Sequence, residues 1–230
     1  MGYPLGIETN ARAIPGSGGR HWRSAAPDEL EAHGWESLRA ASVTTVIDLR
    51  NPSEIPAECS CPAALTVIRA PLEDVDDPAY AELWDHNWAH PQFYLWGVTR
   101  WSHLWDVAFT AIADAPGGVL LHCAGGRDRT GLLVSVLIDR AGVDRAVVLD
   151  DYEAGLRGST AMLIARGEPD HPAAVPADQL ESFVTTYRAA LDGVLDLMPA
   201  AIENAALADV ADRAARQLVA PTPNEARRDS

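Results

Sequence analysis

Residues 122–131 carry two reactive side chains at opposite ends of a glycine-rich segment that reads His-Cys-Ala-Gly-Gly-Arg-Asp-Arg-Thr-Gly. When such a segment leads into a helix, successive backbone N–H groups form a concave anion site at the positive helix end. Cys123 stands where these amides stabilise a thiolate, the nucleophilic form of cysteine. Arg129, six residues later, has a planar guanidinium that binds two oxygens of one phosphate group. The spacing therefore predicts nucleophilic chemistry on a phosphate ester.

The residues between and beside these two have supporting roles. Gly125 and Gly126 let the backbone approach phosphate oxygens closely and adopt positive φ angles. Thr130 can donate a hydrogen bond to the Cys123 thiolate, which makes the sulfur a better leaving group, and His122 can orient the loop by hydrogen bonding to its backbone. The predicted phosphate-binding residues are Ala124, Gly125, Gly126, Arg127, Asp128 and Arg129.

Two carboxylates are candidates for the general acid that protonates the departing oxygen. Asp128 lies inside the loop beside Arg129, where a negative charge in an anion site is costly unless the reaction uses it. Asp74 lies in an acidic loop after the second predicted strand, and its neighbours Asp76 and Asp77 could substitute for it. The sequence leaves the choice between Asp74 and Asp128 open.

A buried strand and a buried helix must position the loop. Residues 119–121 are continuously apolar, and residues 130–141 form an almost wholly apolar helix that Gly142 ends. Further predicted elements are a helix from Pro27 or Asp28 to about residue 41, strands at 43–49 and 65–69, a helix at about 98–115, and helices after the loop helix to about residue 219. Strands that alternate with helices predict an α/β fold with a central, mostly parallel, twisted sheet flanked by helices.

Residues 73–96 form a predicted helical insert between the second strand and the loop. After an acidic start, Tyr80, Trp84 and Trp88 follow at a spacing of four residues and share one helical face. Together with Trp101 and Trp105, these side chains are interpreted first as core between two helices. Their position between a candidate acid and the phosphate loop also makes the insert a candidate lid, because lids exclude water from such sites.

The bulk composition limits the classes of function. The chain has 230 residues, of which 47% are hydrophobic, so we expect a single domain at 1–219 and a flexible tail at 220–230. The net charge of −15 argues against nucleic acid and stable membrane association as partners. Three cysteines without a disulfide framework, no secretory signal and no apolar run long enough to span a bilayer favour a cytoplasmic location.

The loop resembles the signature of the cysteine-dependent protein tyrosine phosphatase superfamily, which is His-Cys, five residues, Arg, then Ser/Thr-Gly. It is most similar to the bacterial and fungal branch, whose loop reads His-Cys-x-Ala-Gly-Lys-Asp-Arg-Thr-Gly. Two departures are residues 124–126, where Ala and Gly fall one residue differently, and Arg127, which replaces the usual Lys. The segment 20–24 resembles an early strand of the family, residues 45–50 with Glu54 resemble its Asp-Leu-Arg-x-x-x-Glu segment, and residues 144–152 resemble the stretch after the loop helix. Ala13 departs from the family, which has an acid there.

The resemblance implies a phosphatase fold and hydrolysis of phosphomonoesters through a thiophosphate on Cys123, with no cofactor and no metal. It favours phosphorylated proteins as substrates. A soluble phosphometabolite is the alternative, because Arg127 suits a second anionic group and the aromatic insert could stack a ring. A phosphate-binding module without activity is the third possibility. An ion pair between Arg50 and Glu54 is expected to brace the loop.

Overall fold

The computed structural model of the chain describes residues 9–57, 61–87, 90–171 and 173–219. Cys59, Trp88 and the predicted tail at 220–230 lie outside these residues, and so does the side chain of Trp84. The family-like segments and the glycine-rich loop all lie inside them.

In the described part of the chain, five strands form one sheet in the order β1-β2-β5-β3-β4. The strands are β1 (Arg12–Ala13), β2 (Trp22–Ser24), β3 (Val43–Asp48), β4 (Thr66–Arg69) and β5 (Gly118–His122). β5 lies between β2 and β3 and is parallel to both, β4 is parallel to β3, and only β1 is antiparallel to its neighbour. The predicted mostly parallel sheet is confirmed.

Helices cover the sheet. The described helices are α1 (Ala32–Ala40), α2 (Pro78–Asn87), α3 (Pro91–Arg100), α4 (Ser102–Ala113), α5 (Asp128–Arg140), α6 (Arg145–Ala165), α7 (Leu180–Asn204) and α8 (Ala208–Val219), with a short 3-10 helix at Pro52–Glu54. None of these helices is long and apolar enough to cross a membrane. The main core lies between the sheet and the helices that follow β4.

The strand and helix that flank the loop are buried almost throughout. Every residue of β5 is buried, which explains why this strand is continuously apolar rather than alternating. In α5, residues 129–138 are all buried, because the helix packs against α3, α6, α7 and α8. Gly142 follows α5 with a φ of 84°, the left-handed conformation expected at a helix end.

Two predicted helices have different bounds in the structure. The first begins at Ala32, not at Pro27 or Asp28, because residues 27–30 form a turn in which Leu30 N donates to Pro27 O at 3.1 Å. The predicted helix at 98–115 is two helices, which meet at Trp101. The backbone of Trp101 leaves the helical region, with φ −113° and ψ 41°, while its buried indole donates to Asp77 Oδ2 at 2.9 Å.

The aromatic side chains near the insert are core. Trp101 is 2% exposed and Trp105 is fully buried. The ring of Tyr80, on α2, lies 6.0 Å from that of Phe93 and 5.9 Å from that of Trp101. The interpretation of this group as core is therefore confirmed for its described members, and the lid stays a prediction.

Candidate active site

The glycine-rich loop leaves the sheet at the carboxyl end of its central strand. β5 ends at His122 and α5 begins at Asp128, so the loop spans only residues 123–127. In the sheet register, His122 lies opposite Ser24 of β2 and Asp48 of β3. Parallel strands thus bring residues from three distant segments to the base of the loop, where α/β proteins commonly bind ligands.

Three consecutive carbonyl groups of the loop accept hydrogen bonds from behind. The pairs are Ala26 N to Ala124 O at 3.0 Å, Asn10 Nδ2 to Gly125 O at 3.0 Å, and Arg23 Nη2 to Gly126 O at 2.9 Å. In a trans peptide the next N–H points opposite to the carbonyl. The amides of Gly125, Gly126 and Arg127 therefore face away from these donors, as an anion-binding loop requires.

Gly126 is required where the loop turns closest to the sheet. Its φ is 62°, and a Cβ on this residue would lie 2.4 Å from the carbonyl carbon and oxygen of Ser24. A side chain would be strained by the backbone angle and would also collide with backbone atoms that cannot rotate away. The glycine keeps the loop close to β2.

A buried ion cluster supports the loop from behind. Asp151 of α6 accepts hydrogen bonds from Arg12 Nε at 2.7 Å and from Arg23 Nη1. The side chains of Arg12, Arg23 and Asp151 are 10%, 0% and 4% exposed. Burial raises the pKa of Asp151, but the charges of Arg23 and Arg12 outweigh that effect and hold the pKa below its usual value. Since Arg23 also bonds the loop, this cluster ties the loop to α6.

Cys123 and Arg129 line the same cleft. The cleft has a volume of about 360 Å³ and is lined on its polar side by Cys123, Arg129, Asp128 and the loop backbone. Its lining also includes Met162 and Leu163 of α6 and Tyr94 of α3. Cys123 and Arg129 thus line one space, and their roles as nucleophile and phosphate ligand stay predictions.

His122 directly precedes the candidate nucleophile, and Thr130 lies in the first turn of α5. Nδ1 of His122 lies 3.3 Å from Cys123 O, and the role of His122 in orienting the loop stays a prediction. Burial lowers the pKa of His122 to about 4, so its ring is neutral near pH 7. The hydroxyl of Thr130 is buried without a hydrogen-bond partner among the described residues. A buried hydroxyl left unpaired is destabilising, but the same holds for Ser135 Oγ in the core of this protein, so the role of Thr130 stays a prediction.

Two carboxyl groups surround the guanidinium of Arg129. The carboxylate of Glu54 accepts hydrogen bonds from both terminal nitrogens of Arg129, from Nη2 to Oε1 at 2.7 Å and from Nη1 to Oε2. Burial raises the pKa of Glu54, but its hydrogen bonds from Arg129 outweigh this and the pKa is lowered. Oε2 of Glu73 lies 3.6 Å from Arg129 Nη1. Glu54 and Glu73 therefore fix the direction of the guanidinium.

The expected pair between Arg50 and Glu54 is wrong. Arg50 instead bonds Asp28 through Nη1 at 2.5 Å and Asp48 through Nε at 3.0 Å. Asp48 ends β3 and is fully buried, so it needs a cationic partner close to its own strand end. Glu54 is one turn further along the chain and faces Arg129.

The two candidate acids occupy different environments. Asp128 lines the cleft, and its carboxylate accepts hydrogen bonds from Arg127 Nε at 2.9 and 3.1 Å. Asp74 is not among the residues that line this cleft, and its Oδ1 accepts from Asp76 N at 3.1 Å. Asp77 bonds Arg100 and Trp101, away from the loop.

The side chain of Arg127 turns away from the sheet and toward α7. Its Nη1 donates to Ala173 O at 2.9 Å, and its guanidinium lies 5.8 Å from the ring centre of Phe183. Together with its bond to Asp128, these contacts leave the side chain 3% exposed. Arg127 thus connects the loop to the segment between α6 and α7.

Sequence reasoning missed four residues of the site, namely Asn10, Glu73, Tyr94 and Asp151. They lie far from the loop in the chain and reach it only through the fold. The signal at Glu73 was its position beside the candidate acid Asp74, and the signal at Asp151 was its place in the family-like stretch 144–152. Neither signal identified a partner.

The strand, loop and helix around Cys123 and Arg129 define an α/β protein with a cysteine-containing anion loop. Comparison with known families makes the assignment specific: the tyrosine phosphatase family matches residues 15–206, and the chain belongs to this family.

Two curated relatives and one solved structure also match the chain. A tyrosine-protein phosphatase of Nostoc commune is 45% identical over 40 residues, which cover 17% of this chain and 14% of that protein. The triple specificity protein phosphatase PtpB of Mycobacterium tuberculosis is 26% identical over 169 residues, which cover 58% of this chain and 60% of PtpB. Both matches cover less than two thirds of the relative's length. The crystal structure of P. aeruginosa TpbA aligns with a TM-score of 0.37 and 20% identity, over 85% of this chain and 94% of TpbA.

Proposed function

We propose that the protein is a cysteine-dependent phosphomonoesterase that works through a thiophosphate intermediate. The observation that carries the proposal is that Cys123 and Arg129 open into one cleft, while the intervening loop is bonded from behind through its carbonyl groups. The amides of such a loop and the guanidinium complement a tetrahedral dianion on the side where the thiol lies.

The reaction proceeds as two displacements at phosphorus. The Cys123 thiolate forms an S–P bond as the P–O bond to the leaving group breaks, and an acid gives its proton to the departing oxygen. Water then attacks phosphorus, the S–P bond breaks, and the same carboxylate accepts a proton from the water. Arg129 and the loop amides bind the equatorial oxygens in both steps. The buried hydroxyl of Thr130 donates to the sulfur as it leaves.

Asp128 is the general acid in this scheme, in preference to Asp74. Asp128 lines the cleft and its side chain is 22% exposed, so it can exchange a proton with substrate and water. The hydrogen bonds from Arg127 keep its carboxylate in place. Asp74 lies outside the lining of the cleft, where it can reach a leaving group only if the insert moves.

The substrate is a phosphorylated protein, with phosphotyrosine as the preferred residue. Tyr94, Met162 and Leu163 give the cleft an apolar wall next to the phosphate loop, which suits an aryl leaving group. The two curated relatives, from Nostoc commune and Mycobacterium tuberculosis, are both protein phosphatases by name. The case for a soluble phosphometabolite is weaker, because Arg127 is engaged by Asp128 and Ala173 O rather than presented to a second anionic group.

The nucleophile is tested by phosphate release from an aryl phosphate and from phosphotyrosine peptides. Cys123→Ser should abolish turnover while keeping the affinity for tungstate, a tetrahedral oxyanion that needs no reaction. A matched control is Cys61→Ser, since Cys61 lies outside the cleft. Turnover retained in Cys123→Ser, or lost equally in Cys61→Ser, contradicts the mechanism. Soluble phosphometabolites assayed at the same concentrations decide between the two substrate classes.

The acid is tested by comparing leaving groups. An alkyl or phenyl phosphate needs protonation of its departing oxygen more than p-nitrophenyl phosphate does. Asp128→Asn should therefore slow phenyl phosphate at least about tenfold more than p-nitrophenyl phosphate, whereas Asp74→Asn should slow both equally or not at all. The opposite pattern would assign the role to Asp74.

A further inference from the structure

Arg129 has two carboxyl neighbours of very different kind. Glu54 forms a two-point ion pair, and its side chain is 30% exposed. Glu73 is 3.6 Å away and its side chain is 1% exposed. The closest hydrogen-bond partners of Glu73 are uncharged: Asn51 Nδ2 at 3.0 Å, Tyr94 Oη at 3.1 Å and Tyr80 Oη at 3.5 Å. The geometry therefore separates one carboxylate that neutralises Arg129 from one that only lies against it.

Charge balance makes this difference important for binding. The substrate phosphate arrives as a dianion, and Arg129 must attract it. If Glu54 and Glu73 were both ionised, the three side chains would carry a net negative charge directly beside the phosphate, and like charges at such distances repel strongly in a dry site. If Glu73 is neutral, the cluster has no net charge and the loop amides can dominate.

We propose that Glu73 positions Arg129 as an un-ionised carboxylic acid, while Glu54 is the charged partner of the guanidinium. The inference rests on the proposed function, because it concerns the residue assigned to phosphate binding. Glu73 is a positioning residue in this scheme and does not touch the substrate.

The surroundings of Glu73 accommodate the neutral form. The hydroxyl of Tyr94 donates to Glu73 Oε1 at 3.1 Å, and because a phenol oxygen can also accept, the same contact accommodates the proton of an un-ionised Glu73. Burial raises the pKa of Glu73, and this outweighs the opposing effects of Arg129, Asn51 and Tyr94, while Glu54 raises it further. Because Tyr94 also lines the cleft, the same hydrogen bond links the cleft wall to Arg129.

The test compares glutamine and alanine substitutions at the two positions. Glutamine keeps the shape and a carbonyl acceptor but cannot ionise, so it mimics an un-ionised acid. Glu73→Gln should keep kcat/KM within about threefold, since it preserves the proposed state. Glu73→Ala should lower it at least about tenfold, mainly through KM, because the support of Arg129 is lost. Glu54→Gln should lower it at least about tenfold, because a partly buried two-point ion pair with Arg129 is broken.

A control and a second measurement keep the outcomes distinct. Asp212→Asn breaks an Arg–carboxylate pair with Arg140, at the far end of α5, and should leave all parameters unchanged. The affinity for tungstate, measured by calorimetry on the same variants, should follow the same order. If the wild-type protein binds tungstate but turns over no phosphate ester, the proposed function fails. The roles of Glu54 and Glu73 can still be compared in that case through the tungstate affinities of their variants. A loss in Glu73→Gln as large as in Glu54→Gln overturns the inference, and so does a Glu73→Ala variant that behaves like wild type.

Discussion

Replacing Asp151 by asparagine should be among the most damaging conservative changes in this protein. Asp151 is the shared anion of Arg12 and Arg23, and all three side chains are at most 10% exposed. Removing one partner of a buried pair typically costs about 3–5 kcal/mol, because the remaining charge is left in a poorly solvating interior. Here two guanidinium groups lose their partner, so we expect the free energy of unfolding to fall by about 4 kcal/mol.

Urea denaturation followed by tryptophan fluorescence measures this loss directly. In a protein of this size, about 4 kcal/mol corresponds to a fall in Tm of roughly 10 °C. Tungstate affinity should also fall, because Arg23 holds the carbonyl of Gly126. Asp212→Asn is the matched control: its side chain is 43% exposed, so its pair with Arg140 should be worth less than about 1 kcal/mol. Equal losses in the two variants would refute the role assigned to the buried cluster.

Three further outcomes follow from the site. Gly126→Ala should cost at least about 2 kcal/mol of stability and abolish tungstate binding. Gly125→Ala should be tolerated, since its Cβ would lie 3.2 Å from the side-chain oxygen Ser159 Oγ. Similar unfolding midpoints for the two variants would contradict this difference. Thr130→Val should keep or raise stability, because it removes an unpaired buried hydroxyl, yet slow the dephosphorylation step in burst kinetics. The free energy of unfolding should fall as the pH drops from 6.5 to 4. Burial lowers the pKa of His21 and His122 to about 4, so in this range the unfolded chain binds protons that the folded chain does not, and each histidine removes roughly 3 kcal/mol of stability. A flat pH profile in urea titrations would argue against buried neutral rings.

The parts of the fold that are local in sequence could be predicted well. The β-branched run at β3, the apolar β5 and the apolar α5 each have a period and composition that decide their structure. The break at Trp101 could not be predicted, because it depends on a hydrogen bond from the indole to Asp77, which lies 24 residues away in the chain. Tertiary contacts of this kind override local helical preference.

In the candidate site, too, the local features could be predicted from the sequence and the contacts between distant segments could not. Cys123 begins the loop and Arg129 lies just after it, at a spacing with chemical meaning, so the sequence alone is enough to predict both as site residues. Glu54 was visible as a candidate ion-pair partner but was matched with Arg50, the nearest arginine in the chain. The partner is instead Arg129, 75 residues away, because β3 and β5 are neighbours in the sheet. Proximity in sequence is a poor guide to ion pairs between strand ends.

The local charges explain how an acidic protein can bind a dianion. The chain carries a net charge of −15, which would repel phosphate at long range. Around the loop, however, four arginines, Arg12, Arg23, Arg127 and Arg129, lie against the carboxyl groups of Asp151, Asp128, Glu54 and Glu73. If Glu73 is un-ionised, one negative charge fewer opposes these arginines in a largely buried setting, while surface charges are screened by salt. Neutralisation of Glu73 therefore makes the surroundings of Arg129 more favourable for a dianion, and variants at this position report on it most directly.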